Sequence, residues 1–439
     1  MAMVVKNNMS ALSTLNTLNK NTKALSKSLQ KVSSGMKINS AADDASGYAI
    51  SERMRVQIRS LDQANSNAQN GGSMMKVAEG AVSSTVEILK TLKEKAVNAA
   101  NDTNTDADRQ TIQKELDQSI DQINDNANVT FNGQYLVDGS KNSKTTATCT
   151  ALTNQSLAET TGSSTKLTEL KARNNDSLNI QATDTITVSW VKDGKTYTAS
   201  TQVGSLTLDG ALKKMKDGAQ TLSTDISLSA GKTSFIAIDG SGNSVYTASG
   251  ESSITIASKA NGVDGQISGF TISITDNTGA VRKSANAALD AFDETLRAQN
   301  ASVDNSINLQ IGTKANQTIK VGLTDMKAQA LGLQGKNNDT IQVGNQEQAN
   351  AAINVLDAAI QKALDQQTTI GAVQSRLEYT QSNLTTASEN VTAAESTIRD
   401  ADMAKEMTEY TKNNVLMQAA QSMLAQANQS SSNVLSLLQ

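Results

Sequence analysis

The sequence predicts a mainly α-helical protein in which long helices from both ends of the chain form an antiparallel bundle or coiled coil, with a strand-rich insert between them. Apolar and small residues recur at spacings of three and four in both terminal parts, as in packed helices. Between about residues 141 and 280 the pattern changes to short alternating runs typical of β-strands. Aromatic residues make up only 3% of the chain, and proline and histidine are absent, which favours a long thin assembly over a compact globule.

The first predicted helix reaches to about residue 36 and carries a heptad seam. Ser33 and Gly35 interrupt this pattern, and Ser40 and Asp43 offer N-cap and first-turn chemistry for a second helix that begins near Asp44. A joint between two helices is therefore expected within residues 33–50. The seam comprises Val4, Ala11, Leu15, Leu18, Thr22, Leu25, Leu29, Val32 and Met36.

Two further helical stretches complete the N-terminal part. The second helix continues to about residue 100, although Gly71 and Gly72 weaken its middle by about 1 kcal/mol each relative to alanine. After a polar turn, a shorter amphipathic helix runs to about residue 128. Its apolar face consists of Ile112, Leu116, Ile120, Ile123 and Ala127.

The C-terminal part mirrors this arrangement. A seam from Ile370 to Ala401 keeps an unbroken spacing of three and four and is the clearest coiled-coil pattern in the chain. A last apolar segment follows, and its side chains are exposed unless another surface covers them. Its apolar residues are Met403, Met407, Tyr410, Met417, Leu424, Val434, Leu435 and Leu438.

The central insert is predicted to contain several strands. Residues 185–191 and 196–198 alternate around Asp193 and Gly194, which predicts a β-hairpin with a tight turn. Trp190 lies on one of these strands and is expected in the core rather than stacked on a ligand. Further elements are predicted as strands at 235–238, 253–256 and 270–274, a short helix near 210–222, and a hairpin at 306–323 that lies against the helical core.

Residue types exclude most catalytic chemistry. Without histidine there is no Ser-His or Cys-His arrangement and no HExxH zinc site. Cys149 is the single cysteine, and it has neither a CxxC partner nor a basic neighbour. Asp43 and Asp44 lack a third acidic ligand at metal-loop spacing, so helix-start chemistry explains them better than an acid/base or Ca²⁺ site. The sequence therefore predicts no enzyme activity, no metal and no cofactor.

Charge and hydropathy patterns limit the partners. The net charge is −4, and Lys and Arg are scattered rather than clustered, so no nucleic-acid partner is expected. No apolar stretch approaches the roughly 18 residues that a membrane span requires. The first 20 residues contain no continuous apolar h-region, which predicts that an exported chain would leave the cell without a cleavable signal peptide.

The two helical ends are expected to depend on each other. Most helical stability comes from packing of an apolar face, and helices this rich in alanine and asparagine bury little alone. The termini are further expected to contact other copies, head to tail, in an arrangement that need not close. The residues predicted to carry packing and polymerisation are Leu15, Leu18, Leu25, Leu29, Val32, Met407, Met417, Leu424, Val434, Leu435 and Leu438.

The joint at residues 33–50, SSGMKINSAADDASGYAI, resembles the N-terminal signature of bacterial flagellins. The similarity continues in FNG at 131–133, INLQIG at 307–312, RDADMA at 399–404 and the final segment from Leu424. It covers about residues 1–140 and 281–439, with the motifs in the same order. By this resemblance the joint is the connector between filament layers, with Ser33, Gly35, Ile38, Asn39, Asp43, Asp44 and Gly47 as its main residues.

The resemblance implies a self-polymerising filament subunit for swimming motility, located outside the cell in the flagellum. Such a subunit is exported through the flagellar channel with an export chaperone, adds beneath a cap protein, and meets hook-filament junction proteins. The resemblance places residues 1–40 and 400–439 in the inner layer of the filament. Residues 41–140 and 281–399, with the 306–323 hairpin, form the long-helix core, and 141–280 form a variable outer domain.

The resemblance also suggests toll-like receptor 5 as a partner. Enterobacterial-type flagellins carry a QRVRELAV patch that this receptor recognises, and the aligned stretch here is residues 90–97. Thr91 replaces an arginine and Lys95 replaces a leucine, which weakens the match. The residues of the predicted receptor patch are Leu89, Thr91, Leu92, Glu94 and Glu115.

Two alternatives stay open at this point. A hook-filament junction protein shares the terminal helices but generally lacks the strong signature at 33–50. An enzyme remains a second alternative, because some flagellins carry a metalloprotease insert. The absence of histidine removes the HExxH zinc site that such an insert needs.

Overall fold

The computed structural model describes residues 8–217, 220–231, 235–247 and 253–437. Within these ranges there are eight α-helices and fifteen β-strands. The helices are α1 (Met9–Ser34), α2 (Ala45–Ala99), α3 (Asp106–Ala127), α4 (Leu208–Lys214), α5 (Leu222–Asp225), α6 (Lys283–Leu289), α7 (Gln346–Arg399) and α8 (Met403–Leu437). The strands are β1 (Thr130–Phe131), β2 (Gln134–Tyr135), β3 (Ala151–Asn154), β4 (Thr185–Lys192), β5 (Lys195–Gln202), β6 (Lys216–Asp217), β7 (Gln220–Thr221), β8 (Ile226–Gly231), β9 (Phe235–Ile238), β10 (Ser244–Tyr246), β11 (Ser253–Ser258), β12 (Ile267–Thr275), β13 (Asp293–Leu296), β14 (Ile307–Gln310) and β15 (Thr318–Val321).

The predicted fold class is confirmed, with long helices at both ends and a strand-rich region between them. α2 runs without a break through Gly71 and Gly72. α7 begins at Gln346, well before the predicted seam that starts at Ile370. Its first turns bury Ala352 and Ala359 together with Val355 and Leu356. The predicted seam therefore covers only the later part of this helix.

The chain divides into two compact units. The first unit comprises Met1–Ala68, Gln310–Gln317 and Tyr379–Gln439, and the second comprises Gln69–Leu309 and Thr318–Glu378. The helices α2 and α7 therefore each contribute residues to both units. In the first unit, Leu61 and Leu384 belong to a small buried cluster that joins these two helices.

In the second unit, α2, α3 and α7 supply a buried helical core. Its fully buried side chains include Leu89 and Leu92 of α2, Leu116 of α3 and Val355 of α7. Thr105 starts α3 with a capping box, because its hydroxyl accepts from the Asp108 backbone N–H while the Asp108 carboxylate accepts from the Thr105 N–H.

The β14–β15 hairpin lies against α2, as predicted. A Cβ atom on Gly71 would lie 2.6 Å from Leu309 Cδ1, so a larger residue would push the strand away from the helix. Gly71 therefore permits the close approach of helix and hairpin, which offsets its low helix propensity.

The two larger sheets of the strand-rich region are antiparallel, in the orders β13-β3-β11-β8 and β12-β4-β5, and β9-β10 and β6-β7 form two-stranded sheets beside them. Trp190 pairs with Phe270 across β4 and β12, and both side chains are buried in the main apolar cluster of this region. The Trp190 ring also stacks on Tyr197, with 5.6 Å between ring centroids. The prediction that Trp190 is a core residue is confirmed.

The tight turn between β4 and β5 is also as predicted. Asp193 and Gly194 both have positive φ, 51° and 75°, as a two-residue hairpin turn of this type requires. The turn packs against the loop that contains Gly335 and Asp339. A Cβ on Gly194 would overlap the Asp339 carbonyl, and one on Gly335 would overlap the Asp193 carbonyl. The two backbones therefore touch directly, with no room for side chains.

The short helix predicted near 210–222 is partly wrong. The helix α4 covers Leu208–Lys214 and ends at Met215, whose backbone is extended. The chain then enters β6, where the Asp217 carboxylate accepts from the Thr198 backbone N–H of β5. Pairing to the neighbouring strand ends the helix earlier than its apolar spacing suggests.

Asp290 allows a test of how a buried carboxyl affects the stability of the strand-rich region. Its carboxylate accepts from the Ile272 backbone N–H, and burial raises the pKa of Asp290 from 3.8 to about 6. The folded state therefore binds this proton more tightly than the unfolded chain does. The stability associated with the protonated carboxyl is fully present below pH 3.8 and is lost as the pH rises through about 6.

We expect Asp290→Asn to raise the free energy of unfolding at pH 7 by about 2 kcal/mol, since the amide oxygen can keep the hydrogen bond without the buried charge. Urea unfolding followed by the fluorescence of Trp190, the single tryptophan, measures the effect. The gain should disappear below pH 4. Asp293→Asn, at an exposed neighbour, is the matched control and should change stability by less than about 0.5 kcal/mol. Equal effects of the two variants would contradict the burial argument.

Candidate functional site

The helices α1 and α8 form an antiparallel pair. The Asn8 side-chain amide donates to the Ala427 carbonyl at one end, over 3.2 Å. Further along, the Asn21 amide donates to the Leu416 carbonyl, also over 3.2 Å. Because the residue number rises on α1 while it falls on α8, the two helices lie along each other in opposite directions.

The seam between these helices is shallow. Among the side chains described on α1 and α8, only Ser28 and Ala420 are buried. The Asn413 amide donates to the Ser28 hydroxyl across the seam. The other seam positions are only half-buried, and they are Ala11, Thr14, Leu18, Asn21, Leu25 and Val32 on α1 and Glu406, Tyr410, Asn413, Met417, Leu424 and Ala427 on α8.

The register of the seam differs from the predicted one. Thr14 and Ser28 face α8, whereas Leu15 and Leu29 are exposed. The sequence pattern favoured the leucines because they are the more apolar residues. The predicted residues Leu18, Leu25, Val32, Met417 and Leu424 do lie in the seam, and Met407 is exposed.

A set of large apolar side chains on this helix pair is therefore uncovered. We call this set the uncovered residues. It includes two leucines that the sequence singled out and several residues that it did not. Leu438 and the side chains of Val434 and Leu435 lie outside the described residues. The uncovered residues are Met9, Leu12, Leu15 and Leu29 on α1 and Met403, Met407, Val415, Leu416 and Met423 on α8.

Two short backbone segments pair to form the connector. α1 ends at Gly35, whose φ of 69° is a left-handed C-cap that glycine adopts without strain. The Ala401 N–H donates to the Gly35 carbonyl over 2.9 Å, and the Lys37 N–H donates to the Arg399 carbonyl over 2.6 Å. The segment after α1 is thereby joined to the segment between α7 and α8.

Asp43 closes the turn that precedes α2. Its carboxylate accepts from the backbone N–H groups of Asn39 and Ser40, and the Lys27 ammonium lies 3.2 Å away. The hydrogen bond from Lys27 is the main cause that lowers the pKa of Asp43. Asp43 therefore holds a turn, as an ionised acceptor, rather than starting the helix.

The N-cap of α2 is Asp44, which corrects the predicted capping role of Ser40 and Asp43. Its Oδ1 accepts from the backbone N–H groups of Ser46 and Gly47, each over 3.0 Å. A Cβ atom on Gly47 would lie 2.5 Å from Asp44 Oδ2 and 2.7 Å from Ile38 Cδ1. Ile38 is buried, and Ser33 lies exposed in the last turn of α1.

Arg399 links both connector segments to α2. Its Nη1 donates to Glu52 Oε1 over 2.6 Å, and its guanidinium lies 5.5 Å from the centre of the Tyr48 ring. Its Nε lies 3.1 Å from Met36 Sδ. The Arg399 side chain is almost wholly buried, whereas Glu52 is partly exposed, and the hydrogen bond from Arg399 lowers the pKa of Glu52. We call these residues, with Ser51, the Arg399 cluster.

Sequence reasoning missed the role of Arg399, although the RDADMA segment was among the motifs of the resemblance. The one feature of the sequence that could have indicated this role is the position of Arg399, a charged residue near the end of the apolar seam from Ile370 to Ala401. Its partners Tyr48 and Glu52 lie on a distant helix of the sequence, so no local spacing could identify them.

The predicted receptor patch is only partly accessible. Leu89 and Leu92 are buried in the core of the second unit, whereas Thr91 and Glu94 are exposed. Glu115 forms an ion pair with Lys95 over 2.9 Å. A protein that bound this surface would contact neither leucine, and it would compete with Lys95 for Glu115.

No catalytic or metal centre competes with these surfaces among the described residues. That part of the chain holds no group of three or more Cys, Asp or Glu side chains placed to bind a metal ion. It also holds no helix with the length and apolarity that membrane crossing demands. Burial raises the pKa of the Cys149 thiol, which disfavours the reactive thiolate.

Comparison with known proteins gives matches at both ends of the chain and along its length. The model of the bacterial flagellin N-terminal helical region matches residues 5–142, and that of the C-terminal helical region matches residues 353–438. A flagellin of Clostridium tyrobutyricum is 36% identical over 428 residues, with 97% of this chain and 99% of the relative covered. A flagellin of Bacillus subtilis is 31% identical over 460 residues, with coverage of 99% and 100%.

Among solved structures, the flagellar junction protein FlgL from Legionella pneumophila aligns over 80% of this chain and 99% of its own, with 14% identity. The TM-score is 0.33, too low to support any argument about this chain.

The Arg399 cluster predicts a specific sensitivity of the connector. We expect Arg399→Met to speed amide hydrogen exchange at Lys37 and Ala401 by about ten-fold or more, because the buried cation that joins the segments is lost. Arg55→Met removes the other ion pair of Glu52, in which both side chains are well exposed, and is the matched control. Equal exchange in the two variants would contradict the role of Arg399. The hydrogen bond from Arg399 lowers the pKa of Glu52, so the ionised carboxylate stabilises the folded connector. This stabilisation is fully present above pH 4.5, the ordinary pKa of Glu52, and is lost as the pH falls through the lowered pKa.

Gly47 and Gly80 form a second matched pair, since both lie within α2. We expect Gly47→Ala to destabilise the protein by about 1–3 kcal/mol through overlap with Asp44 and Ile38. Gly80 is exposed and has no atom within 4 Å of an added Cβ, so Gly80→Ala should stabilise by about 0.5–1 kcal/mol. Thermal unfolding followed by circular dichroism decides between them, and a stabilising Gly47→Ala would show that the turn is not tightly packed.

Proposed function

The chain belongs to the bacterial flagellin family and is a structural filament subunit rather than an enzyme, and we propose that it polymerises through its terminal helix pair. The observation that carries this proposal is the shallow seam between α1 and α8, in which Ser28 and Ala420 are the only buried side chains among those that the structure describes. Such a pair has too little core to be stable in water by itself. Further copies of the chain are the proposed cover for the uncovered residues.

Burial of these side chains would supply the driving force. Full burial of a leucine or methionine side chain is worth about 1.5–3 kcal/mol, so burial of several uncovered residues against neighbouring copies would add to the stability of the helix pair. The uncovered residues are spread along both α1 and α8. A subunit would therefore be partnered twice, once by its own second helix and again by its neighbours.

We propose the following layers in the filament. Residues 1–40 and 400–439 form the inner layer, and residues 41–140 and 281–399 form the surrounding long-helix core with the 306–323 hairpin. Residues 141–280 form the outer surface domain. The connector residues Ser33, Gly35, Ile38, Asn39, Asp43, Asp44 and Gly47 then hold the inner layer to the core, and the backbone pairing at Gly35 and Lys37 supports that role.

The partners and location follow from the same proposal. The subunit would be secreted to the flagellar filament with an export chaperone, add beneath the cap protein, and meet the hook-filament junction proteins. Recognition by toll-like receptor 5 stays a prediction. The exposed side chains of Thr91 and Glu94 support it, whereas the buried leucines and the ion pair of Lys95 with Glu115 weaken it.

The full-length similarity to flagellins favours the filament subunit over the junction protein. The chain covers 97% or more of its own length in its match to each flagellin described above. A junction protein is expected to stop adding after a fixed number of copies, whereas a filament subunit should keep extending filament seeds. Elongation of filament fragments by purified subunit is therefore the direct measurement.

We expect Leu29→Lys to reduce seeded elongation by about 100-fold or more, because it places a charge where apolar contact with a neighbour is proposed. Leu29 is 51% exposed, so the free subunit should fold normally, as circular dichroism would show. Gln30→Lys adds the same charge on the next residue without removing apolar surface and is the matched control. Elongation of Leu29→Lys at the normal rate would place Leu29 outside the interface.

A further inference from the structure

Methionine is distributed unevenly between the two units. The sequence has 13 methionines, and Met1 and Met3 lie outside the described residues. Among the rest, the four most exposed are all on α1 or α8. They are Met9, Met403, Met407 and Met423, which are 69%, 43%, 45% and 61% exposed. The described methionines of the second unit are Met74, Met75, Met215 and Met326, and none is more than 8% exposed.

The remaining three methionines are intermediate. Met36, Met54 and Met417 are half-buried. Met36 also accepts a hydrogen bond from Arg399 Nε, which lies 3.1 Å from its sulfur and engages one of the sulfur's two lone pairs. The structure thus separates the methionines into exposed, half-buried and buried classes, and the exposed class coincides with the terminal helix pair.

The chemistry of the thioether gives this separation a consequence. Hydrogen peroxide transfers one oxygen atom to the sulfur, so the thioether becomes a sulfoxide and the peroxide becomes water. A dithiol reverses the reaction through a methionine sulfoxide reductase, in which the sulfoxide oxygen leaves as water and the dithiol becomes a disulfide. Oxidation converts a flexible apolar side chain into a polar one, and it proceeds fastest where the sulfur is accessible.

We propose that Met9, Met403, Met407 and Met423 are a reversible oxidation site that controls whether a free subunit can join a filament. This inference rests on the proposed function, because these four residues belong to the uncovered residues that neighbouring copies would bury. A sulfoxide there would place an unpaired polar oxygen in an apolar contact. Once assembled, the same sulfurs are shielded, so the site acts on free subunits and spares existing filaments.

The four exposed methionines are spread along the helix pair. Met403 and Met407 are four residues apart and therefore adjacent on one face of α8. Met9 lies at the start of α1, and the Asn8 contact to Ala427 places that end of α1 beside the part of α8 that contains Met423. The exposed sulfurs therefore occur at both ends of the antiparallel pair.

The first measurement maps oxidation in the full-length subunit. After mild hydrogen peroxide treatment, peptide mass spectrometry should find sulfoxide at Met9, Met403, Met407 and Met423 at least ten-fold faster than at Met75, Met215 and Met326. The same treatment of assembled filaments should leave the four exposed positions largely unoxidised. Equal rates at exposed and buried methionines, or equal rates in subunit and filament, would overturn the proposal.

The second measurement compares seeded elongation before and after peroxide. Oxidised wild-type subunit should elongate at least ten-fold more slowly, with unchanged circular dichroism, and methionine sulfoxide reductases with dithiothreitol should restore the rate. A variant with all four methionines changed to leucine keeps similar volume and cannot be oxidised there. Whatever its own untreated rate, peroxide should change that rate by less than two-fold. Met326→Leu, at a buried position, is the matched control and should remain as sensitive as the wild type.

The outcomes separate this inference from the proposed function. A subunit that elongates equally well before and after complete oxidation of the four residues would contradict the oxidation site alone. An equal loss of elongation in the four-leucine variant would do the same, because the sensitive residues would lie elsewhere. A wild-type subunit that never elongates from seeds would contradict the proposed function and the inference together.

Discussion

The seam between α1 and α8 constrains everything else in the first unit. Apart from Ser28 and Ala420, the described side chains of this seam are at most half-buried, so the pair buries little apolar surface. Other large apolar residues of the two helices, such as Leu15, Leu29 and Met423, are exposed. The pair thus keeps an uncovered apolar surface, and burial of that surface by further copies is the proposed basis of assembly.

The connector fixes one end of this weakly packed helix pair. Backbone hydrogen bonds join the segment after α1 to the segment before α8, and the Arg399 cluster holds both segments to α2. The buried guanidinium has a carboxylate, an aromatic ring and a thioether around it, so its desolvation is compensated by several contacts rather than one. Gly35 and Gly47 supply the space and the backbone conformation that this packing needs. The connector therefore fixes the end of α1 and the start of α8, although the seam beyond it is shallow.

Local patterns in the sequence were sufficient for most of the fold. The long helices, the 193–194 hairpin turn, the strands around Trp190 and the 306–323 hairpin follow from periodicity and turn chemistry, which depend on neighbouring residues. The errors arose where tertiary contacts decide. Ser28 rather than Leu29 is buried, and its hydroxyl accepts a hydrogen bond from Asn413 of α8, a partner that local spacing cannot reveal. The start of α7 at Gln346 lies before the seam that the sequence indicated. The partners of Arg399 could not be predicted, since they lie on another helix far away in the sequence.

The direct backbone contact between the Asp193–Gly194 turn and the loop at Gly335 has a consequence for protein engineering. Hairpin tips are the usual places to graft foreign peptides onto a surface domain, because they tolerate added length. This tip does not, since neither glycine leaves room for even one extra carbon. The turn between β9 and β10 is different, because an added Cβ on Gly242 would have no atom within 4 Å, and the turn is closed by hydrogen bonds among its own residues, Asp239 to Asn243. A foreign peptide would thus fit at the β9–β10 turn but not at the β4–β5 turn, although the sequence shows a glycine turn at both places.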